Sequence, residues 1–156
     1  MGSKKEKTNV MRILDQKNAI YLHCFYDDMI MNALDVSVFL KKPPEEVFKT
    51  LVTVGRSRTH YVFMVPAQKE LDFKKAALAA GEKSLEMIPQ KDLLPLTGYV
   101  HGGCSPIGMK KAFKTFIDKS AETIDILSFS GGRVGSQVQM TLRELQKVLP
   151  VTLAEL

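Results

Sequence analysis

Residues 48–65 read Phe48-Lys49-Thr50-Leu51-Val52-Thr53-Val54-Gly55-Arg56-Ser57-Arg58-Thr59-His60-Tyr61-Val62-Phe63-Met64-Val65. The runs Leu51 to Val54 and Tyr61 to Val65 are rich in β-branched and aromatic residues, and they flank a polar stretch, Gly55 to His60. That pattern predicts a hairpin. On its N-terminal side, Pro43-Pro44-Glu45-Glu46 places proline and acids where a helix begins. Asp35 is positioned to cap a helix over Val36 to Lys41, residues 27–34 read as a connection, and Ile20 to Tyr26 as a short strand. Thr8 caps an opening helix to about Lys17, with Val10, Ile13 and Leu14 on one stripe.

On the C-terminal side, a helix over Asp72 to Ala80 ends at Gly81, which suits a C-cap. Gln90 to Leu94 reads as a helical turn stopped near Pro95. Two glycine-rich turns follow, Gly102-Gly103-Cys104-Ser105-Pro106-Ile107-Gly108 and Ser130-Gly131-Gly132-Arg133-Val134-Gly135. Strands are expected over Ala112 to Ile117 and Thr123 to Phe129. Thr141-Leu142-Arg143-Glu144 is a capping box for a last helix to about Leu149. Strands and helices that do not strictly alternate predict a mixed α+β domain around a β-sheet or partial barrel.

The chain has 156 residues, 45% hydrophobic and 25% charged, with 10 Gly and 7 Pro. These values predict one globular domain over residues 8–156 and exclude collagen-like, disordered and disulfide-scaffold classes. Residues 1–7 read as a disordered basic tip, with no apolar segment behind the charges to make a secretory signal; the expected location is cytoplasmic. No apolar run reaches the roughly 18 residues of a membrane helix. Net charge is +5, of which Lys4, Lys5 and Lys7 against Glu6 supply +2. Lys110, Lys111, Lys114 and Lys119, opposed by Asp118, form a local basic cluster, either a phosphate-facing patch or a solvated face.

Familiar catalytic motifs fail one by one. Ser105 does not fit the G-x-S-x-G elbow, and Pro106 has no amide hydrogen where an oxyanion donor is needed. Cys104 and His101 lie three apart in a turn with no third orienting group. Cys24 and Cys104 form no C-x-x-C pair, and His23, His60 and His101 are isolated, so no metal motif is present. Gly103 to Gly108 has P-loop spacing, but Met109 stands where the lysine is required. What remains is two loops whose missing Cβ atoms let backbone amides approach a ligand, with cations nearby.

The ordered set Phe48-Lys49-Thr50-Leu51, Leu71 to Ala76, Thr97 to Lys111 and Ser130 to Gly135, after an opening helix and Leu22-His23, resembles the YbaK/EbsC family of aminoacyl-tRNA deacylases. The likeness runs from about residue 8 to the end. It implies an α+β fold around a mixed, barrel-like sheet, related to the editing domain of prolyl-tRNA synthetases. It further implies a free-standing hydrolase of mischarged Cys-tRNA(Pro) that uses no metal or cofactor. Such editing is needed because small apolar differences between amino acids are worth only about 1 to 3 kcal/mol in a binding pocket. In this family the substrate's own thiol attacks its ester, releasing tRNA and a thiolactone, so the protein supplies position and electrostatics.

Carried over residue by residue, the resemblance implies a catalytic set of Lys49, Gly103 and Ser130. Substrate contacts fall to Phe25, Thr50, Gly102, Ser105, Gly131, Gly132 and Gln137. Lys110, Lys111, Lys114 and Arg133 would meet tRNA phosphates in a salt-sensitive, sequence-tolerant way. Tyr99 or Phe25 either stacks the terminal base or belongs to the core. The expected partners are the acceptor 3′ end of aminoacyl-tRNA and prolyl-tRNA synthetase, with the chain a monomer or weak homodimer. The sequence departs from the family at Val134, where arginine is common, at Gln137, where an acid is common, at Phe25, where tyrosine is common, and around Asn32-Ala33-Leu34. These departures leave open two rivals: hydrolysis of Ala-tRNA(Pro) or another small aminoacyl-tRNA by an activated water, and a non-catalytic module that holds a tRNA end or nucleotide.

Overall fold

The computed structural model describes residues 7–30 and 32–156. Apart from Lys7, the basic tip lies outside the described residues. Helix α1 (Asn9–Gln16) starts where Thr8 Oγ1 accepts a hydrogen bond from Met11 N at 3.2 Å. It buries Val10, Met11 and Leu14, with Met11 taking the place expected of the half-buried Ile13. The expected hairpin forms from β2 (Phe48–Gly55) and β3 (His60–Pro66), with Lys49 opposite Val65 and Thr50 opposite Met64.

The strands make two sheets and do not close into a barrel. Five strands lie in the order β4-β2-β3-β5-β8, where β4 is Leu85–Met87, β5 Lys114–Asp118 and β8 Val151–Ala154. β2 runs antiparallel to β3 and β4, whereas β3, β5 and β8 are parallel neighbours. The other sheet is antiparallel, in the order β1 (Leu22–Phe25), β7 (Ser136–Met140), β6 (Leu127–Ser130). A single parallel bridge outside the named strands, between Val47 and Ser128, joins the two sheets beside the start of β2.

Three hydrophobic clusters hold the described residues together; the smallest is Tyr26, Val36, Val47 and Ala67. The first gathers Val10 and Leu14 of α1 with Phe48, Phe129, Val138 and Leu145; Leu145 comes from α5 (Leu142–Val148). A second packs Phe63 and Phe116, stacked with ring centroids 5.3 Å apart, under Ala76 and Ala77 of α3 (Phe73–Ala80). Asp72 caps α3 by accepting from Lys74 N and Lys75 N, and Gly81 ends it with a left-handed φ of 75°.

Several expectations shift. Helix α2 (Ala33–Leu40) begins three residues before the expected Val36, because Asn32, not Asp35, is its cap: Asn32 Oδ1 accepts from Asp35 N at 2.9 Å while Asn32 Nδ2 donates to Asp35 Oδ2 at 2.7 Å. The proline-led start at Pro44 yields only a single 3-10 turn, Pro44–Glu46. Pro95 does not stop the helix near it: α4 (Leu93–Thr97) holds it at the third position, where the missing N–H has no acceptor within the helix. A 3-10 turn, Lys119–Thr123, takes the stretch before β6 and delays that strand to Leu127. The capping box at Thr141 forms by half. Thr141 Oγ1 accepts from Glu144 N, but the Glu144 carboxylate accepts from Ile20 N at 2.8 Å and from Lys147 Nζ at 2.9 Å, tying α5 to the chain before β1.

Candidate active site

Where the two sheets diverge they leave a cavity of about 360 Å³, within the usual size of a ligand site. β2 contributes Phe48 to Val52, and α2 with its cap contributes Asn32, Ala33 and Val36. Met87, Ile88, Gln90 and Leu93 close one side; His101, Gly102 and Cys104 of the first glycine loop close another; Tyr26, Ser130 and Gln137 form the wall from the three-stranded sheet. Most of this lining is apolar, so the few polar atoms in it decide orientation.

β2 passes along the cavity with one edge open. Gly55 N donates to Thr59 O at 2.8 Å, so odd-numbered residues of β2 bond to β3, and the alternation of an antiparallel ladder turns Thr50 and Val52 the other way. β4 pairs only with Thr53 to Gly55, and Ile88 N reaches Val52 O at 3.3 Å. The backbone N–H and C=O of Thr50 therefore face the gap, and its Oγ1 is a buried atom with no hydrogen-bond partner. Beside it, half-buried Lys49 meets no carboxylate within ion-pair distance among the described residues, where the ion pairs are Lys7 with Asp15 and Lys147 with Glu144. Lys49 thus brings a positive charge without a carboxylate partner to a largely apolar wall.

The opposite wall is held by polar contacts among buried groups. Gln137, 5% exposed, accepts a hydrogen bond through Oε1 from the fully buried Ser128 Oγ at 2.9 Å. Burial raises the Tyr26 phenol above its ordinary range, and the Gln137 side chain beside it pulls it partly back. Ser130 Oγ accepts from Gly132 N at 3.1 Å, and Gly131 N donates to Ser136 O at 2.9 Å, which closes the second glycine loop. The two glycine loops touch backbone to backbone. A Cβ on Gly103 would lie 2.8 Å from Val134 N and 3.0 Å from Arg133 C, so only glycine permits the approach.

Neither candidate nucleophile is armed. Burial pushes the Cys104 thiol up to about 12, leaving essentially no thiolate at neutral pH. Ser105 is fully buried, its Oγ accepts from Ile107 N at 3.3 Å, and it does not reach the cavity wall. Among the described residues no group of three or more His, Cys, Asp or Glu side chains is placed to hold a metal ion.

Of the residues expected at the site, the structure brings together Lys49, Thr50, Gly102, Ser130 and Gln137. Gly103, Gly131 and Gly132 shape the loops behind the wall rather than forming it, and Ser105 lies within its turn. Phe25 packs on the first core with its ring 5.3 Å from that of His23, and its neighbour Tyr26 lines the wall instead. Tyr99 belongs to the core, where its hydroxyl donates to Ile107 O. Lys111 and Lys114 line a second concavity that shares no residue with the first, and the Lys114 ammonium lies 5.4 Å from the centre of the Phe116 ring. The Lys110 stem covers Gly98, and Arg133 is half-buried in the second loop. Sequence reasoning passed over Tyr26, Asn32 and the Met87 to Leu93 side. The Asn32 to Asp35 spacing of a capped helix was the one signal that could have found part of it.

A two-sheet α+β domain with a largely apolar cleft that holds Lys49 between β2 and the two glycine loops is the class that fold and site define. The chain belongs to the aminoacyl-tRNA editing domain family, whose model matches residues 28–148. It is 40% identical over 144 residues to EbsC of Enterococcus faecalis (strain ATCC 700802 / V583), provisionally named a Cys-tRNA(Pro)/Cys-tRNA(Cys) deacylase, covering 90% of this chain and 88% of that one. A proline–tRNA ligase of Thermosipho africanus (strain TCF52B) is 30% identical over 86 residues, 55% of this chain and 15% of the ligase. Two crystal structures share the fold: hypothetical protein APE2540 (TM-score 0.87, 18% identity, 95% of this chain and 98% of that one) and a provisionally assigned trans-editing enzyme for prolyl tRNA synthetase (TM-score 0.82, 20% identity, 96% and 98%).

Proposed function

We propose that this protein is a free-standing editing hydrolase whose substrate is mischarged Cys-tRNA(Pro), with residues 8–156 acting as one editing domain in the cytoplasm alongside prolyl-tRNA synthetase. The observation that carries the reading is a cavity holding Lys49 and the open Thr50 edge opposite Gly102 and Ser130, in which the wall thiol, Cys104, is held protonated by burial. The substrate thiol is then the nucleophile. Its sulfur bonds to the ester carbonyl carbon, the bond to the ribose oxygen breaks, and the thiol proton passes to that leaving oxygen. Water opens the thiolactone afterwards. Lys49 holds the negative charge of the terminal adenosine phosphate or of the reacting carbonyl oxygen, where an oriented donor in an apolar wall counts for most. Gly103 acts in this scheme by letting the loops meet so that Gly102 presents its backbone to the ester.

The name borne by EbsC and the ligase likeness support the choice of cysteine and proline tRNA. His101, on the wall, supports a second reading, since an imidazole there is placed to take a proton from water attacking Ala-tRNA(Pro). Deacylation of Cys-, Ala-, Ser- and Pro-tRNA by the purified chain separates the two. The expected result is rapid loss of cysteine alone; an unchanged half-life of Cys-tRNA(Pro) overturns the first reading, and rapid loss of alanine establishes the second.

A further inference from the structure

Helix α2 has the composition of a buried helix, yet one whole face of it is bare. Its residues are Ala33-Leu34-Asp35-Val36-Ser37-Val38-Phe39-Leu40, of which Asp35 and Ser37 are polar. A helix that is apolar all round normally packs on every side. The inner face is accounted for: Val36 is buried, Ala33 and Leu40 are half-buried, and all three pack with Tyr26, Val47 and Ala67 in the smallest cluster. Ser37 is buried beside them, its Oγ donating to Leu34 O at 2.6 Å. At about 3.6 residues per turn the remaining side chains share one outward arc, with Val38 near its middle and Leu34 and Phe39 on either side. All three are exposed, Val38 at 73%, and Phe39 reaches the fold only through a tilted ring contact with Tyr26, centroids 6.1 Å apart.

The charges on this face complement themselves. Asp35 lies in the first turn, exposed, with Oδ2 bonded to Asn32 Nδ2. Lys41, the C-cap, and Lys42 follow at the other end, the first exposed and the second half-buried. Among the described residues neither lysine has an ion-pair partner. Two copies of the helix laid antiparallel across a two-fold axis bring the acid of each toward the lysines of the other and Leu34 toward Phe39, with the two Val38 side chains near the axis. A nucleic acid is a poor occupant, because Asp27, Asp28 and Asp35 are all exposed at the start of the helix and repel phosphate.

We propose that the outer face of α2 is the contact between two copies of this chain, packed helix to helix in antiparallel order, with Val38 at the centre and Asp35 of each copy paired with the lysines at the end of the other helix. Asn32, Ala33 and Val36 line the cavity from the opposite face of the same helix, so the two cavities lie on opposite sides of the helix pair. Eight residues a side bury less than the roughly 1,600 Å² of a standard interface. Association is therefore weak, with half the chain dimeric at about 10 to 100 µM. The inference stands apart from the editing reading, since no part of it needs a substrate.

Sedimentation equilibrium of the full chain from about 5 to about 500 µM tests it, and the expected result is a monomer–dimer equilibrium. Val38→Glu sets two carboxylates near the axis and should raise the dissociation constant at least about tenfold. Asp35→Lys alone, and Lys41→Glu with Lys42→Glu, should each raise it at least about threefold. All three charge substitutions together should restore it to within about twofold, because the pairs are then exchanged rather than lost. Circular dichroism melts identify the folded variants, and the charge exchange reads the arrangement independently of Val38→Glu. A chain that stays monomeric at about 500 µM overturns the inference and leaves the face to a different protein. A dimer that no folded variant weakens overturns it too, and so does an exchanged variant that fails to regain association after both halves have lost it. None of these results touches the editing reading, which deacylation alone decides.

Discussion

Lys49 lies on β2 between the buried Phe48 and the half-buried Thr50, opposite the buried Val65, and it lines the cavity. If it binds the charge that develops on the ester, Lys49→Ala should lower kcat/KM for deacylation by about 10²- to 10³-fold, as loss of one oriented donor does. The thermal midpoint should change little, because Lys49 makes no ion pair to lose. Retention of the wild-type rate in the folded variant would remove Lys49 from the chemistry. This residue was legible in the sequence only through the F-K-T resemblance, since no spacing rule marks a lone lysine in a strand. Gln137 is a different case. Its place on the wall was anticipated, but its carbonyl is taken by Ser128, a contact between residues nine apart on two strands that no local pattern discloses.

At the scale of elements, caps and hairpins were readable because they are local, and α1, α3 and the β2–β3 hairpin fall where the sequence puts them. Three strands, β4, β7 and β8, were not expected from the sequence, and the first two show why. β4 has three residues, and β7 carries Ser136 and Gln137 buried with Val138, so its two covered faces show no alternation. Helix α2 was placed late because two cap candidates, Asn32 and Asp35, sit three apart and serve the same turn. Since α2 lines the cavity with its first residues, Asn32→Ala should cost about 1 kcal/mol of stability and raise KM for aminoacyl-tRNA. Urea unfolding and steady-state kinetics check both, and an unchanged KM would detach this helix from substrate binding. The hairpin has its own device. Glu82, beyond α3, accepts from Ser57 Oγ, Ser57 N and Tyr61 OH, and these bonds hold its carboxyl below the usual 4.5. A depressed carboxylate stabilises the fold above its unfolded value and loses that contribution as pH falls through the folded one. Glu82→Gln should therefore be less stable than wild type at pH 7, with the difference shrinking as pH drops below about 4.5. A Tm difference that stays constant with pH would contradict the assignment.

For the whole molecule, the fold class and its family were legible because many weak motifs occur in one order, but the division into two sheets was not. That division depends on where β2 and β6 meet, through a bridge at Val47 and Ser128 that lie 81 positions apart in the numbering. Charge distribution is likewise a property of the whole. Lys111 and Lys114 line a concavity separate from the Lys49 cavity, so their effect on tRNA should be electrostatic and remote from the chemistry. Replacing Lys110, Lys111 and Lys114 with alanine should lower the slope of log affinity against log salt by up to about 3, with kcat on bound tRNA nearly unchanged. An unaltered slope in a filter-binding titration would place the tRNA elsewhere.

The central claim is that the cleft folds a charged tRNA end so that its own thiol breaks the ester. Single-turnover deacylation of Cys-tRNA(Pro) beside Ser-tRNA(Pro), which differs by one oxygen for sulfur, addresses it most directly. The account predicts cleavage of the cysteinyl ester at least about 10²-fold faster, given the strength of an oriented intramolecular attack, with no acyl group found on the protein. Equal rates for the two esters, or an acyl adduct trapped on Cys104 or Ser105, would contradict it.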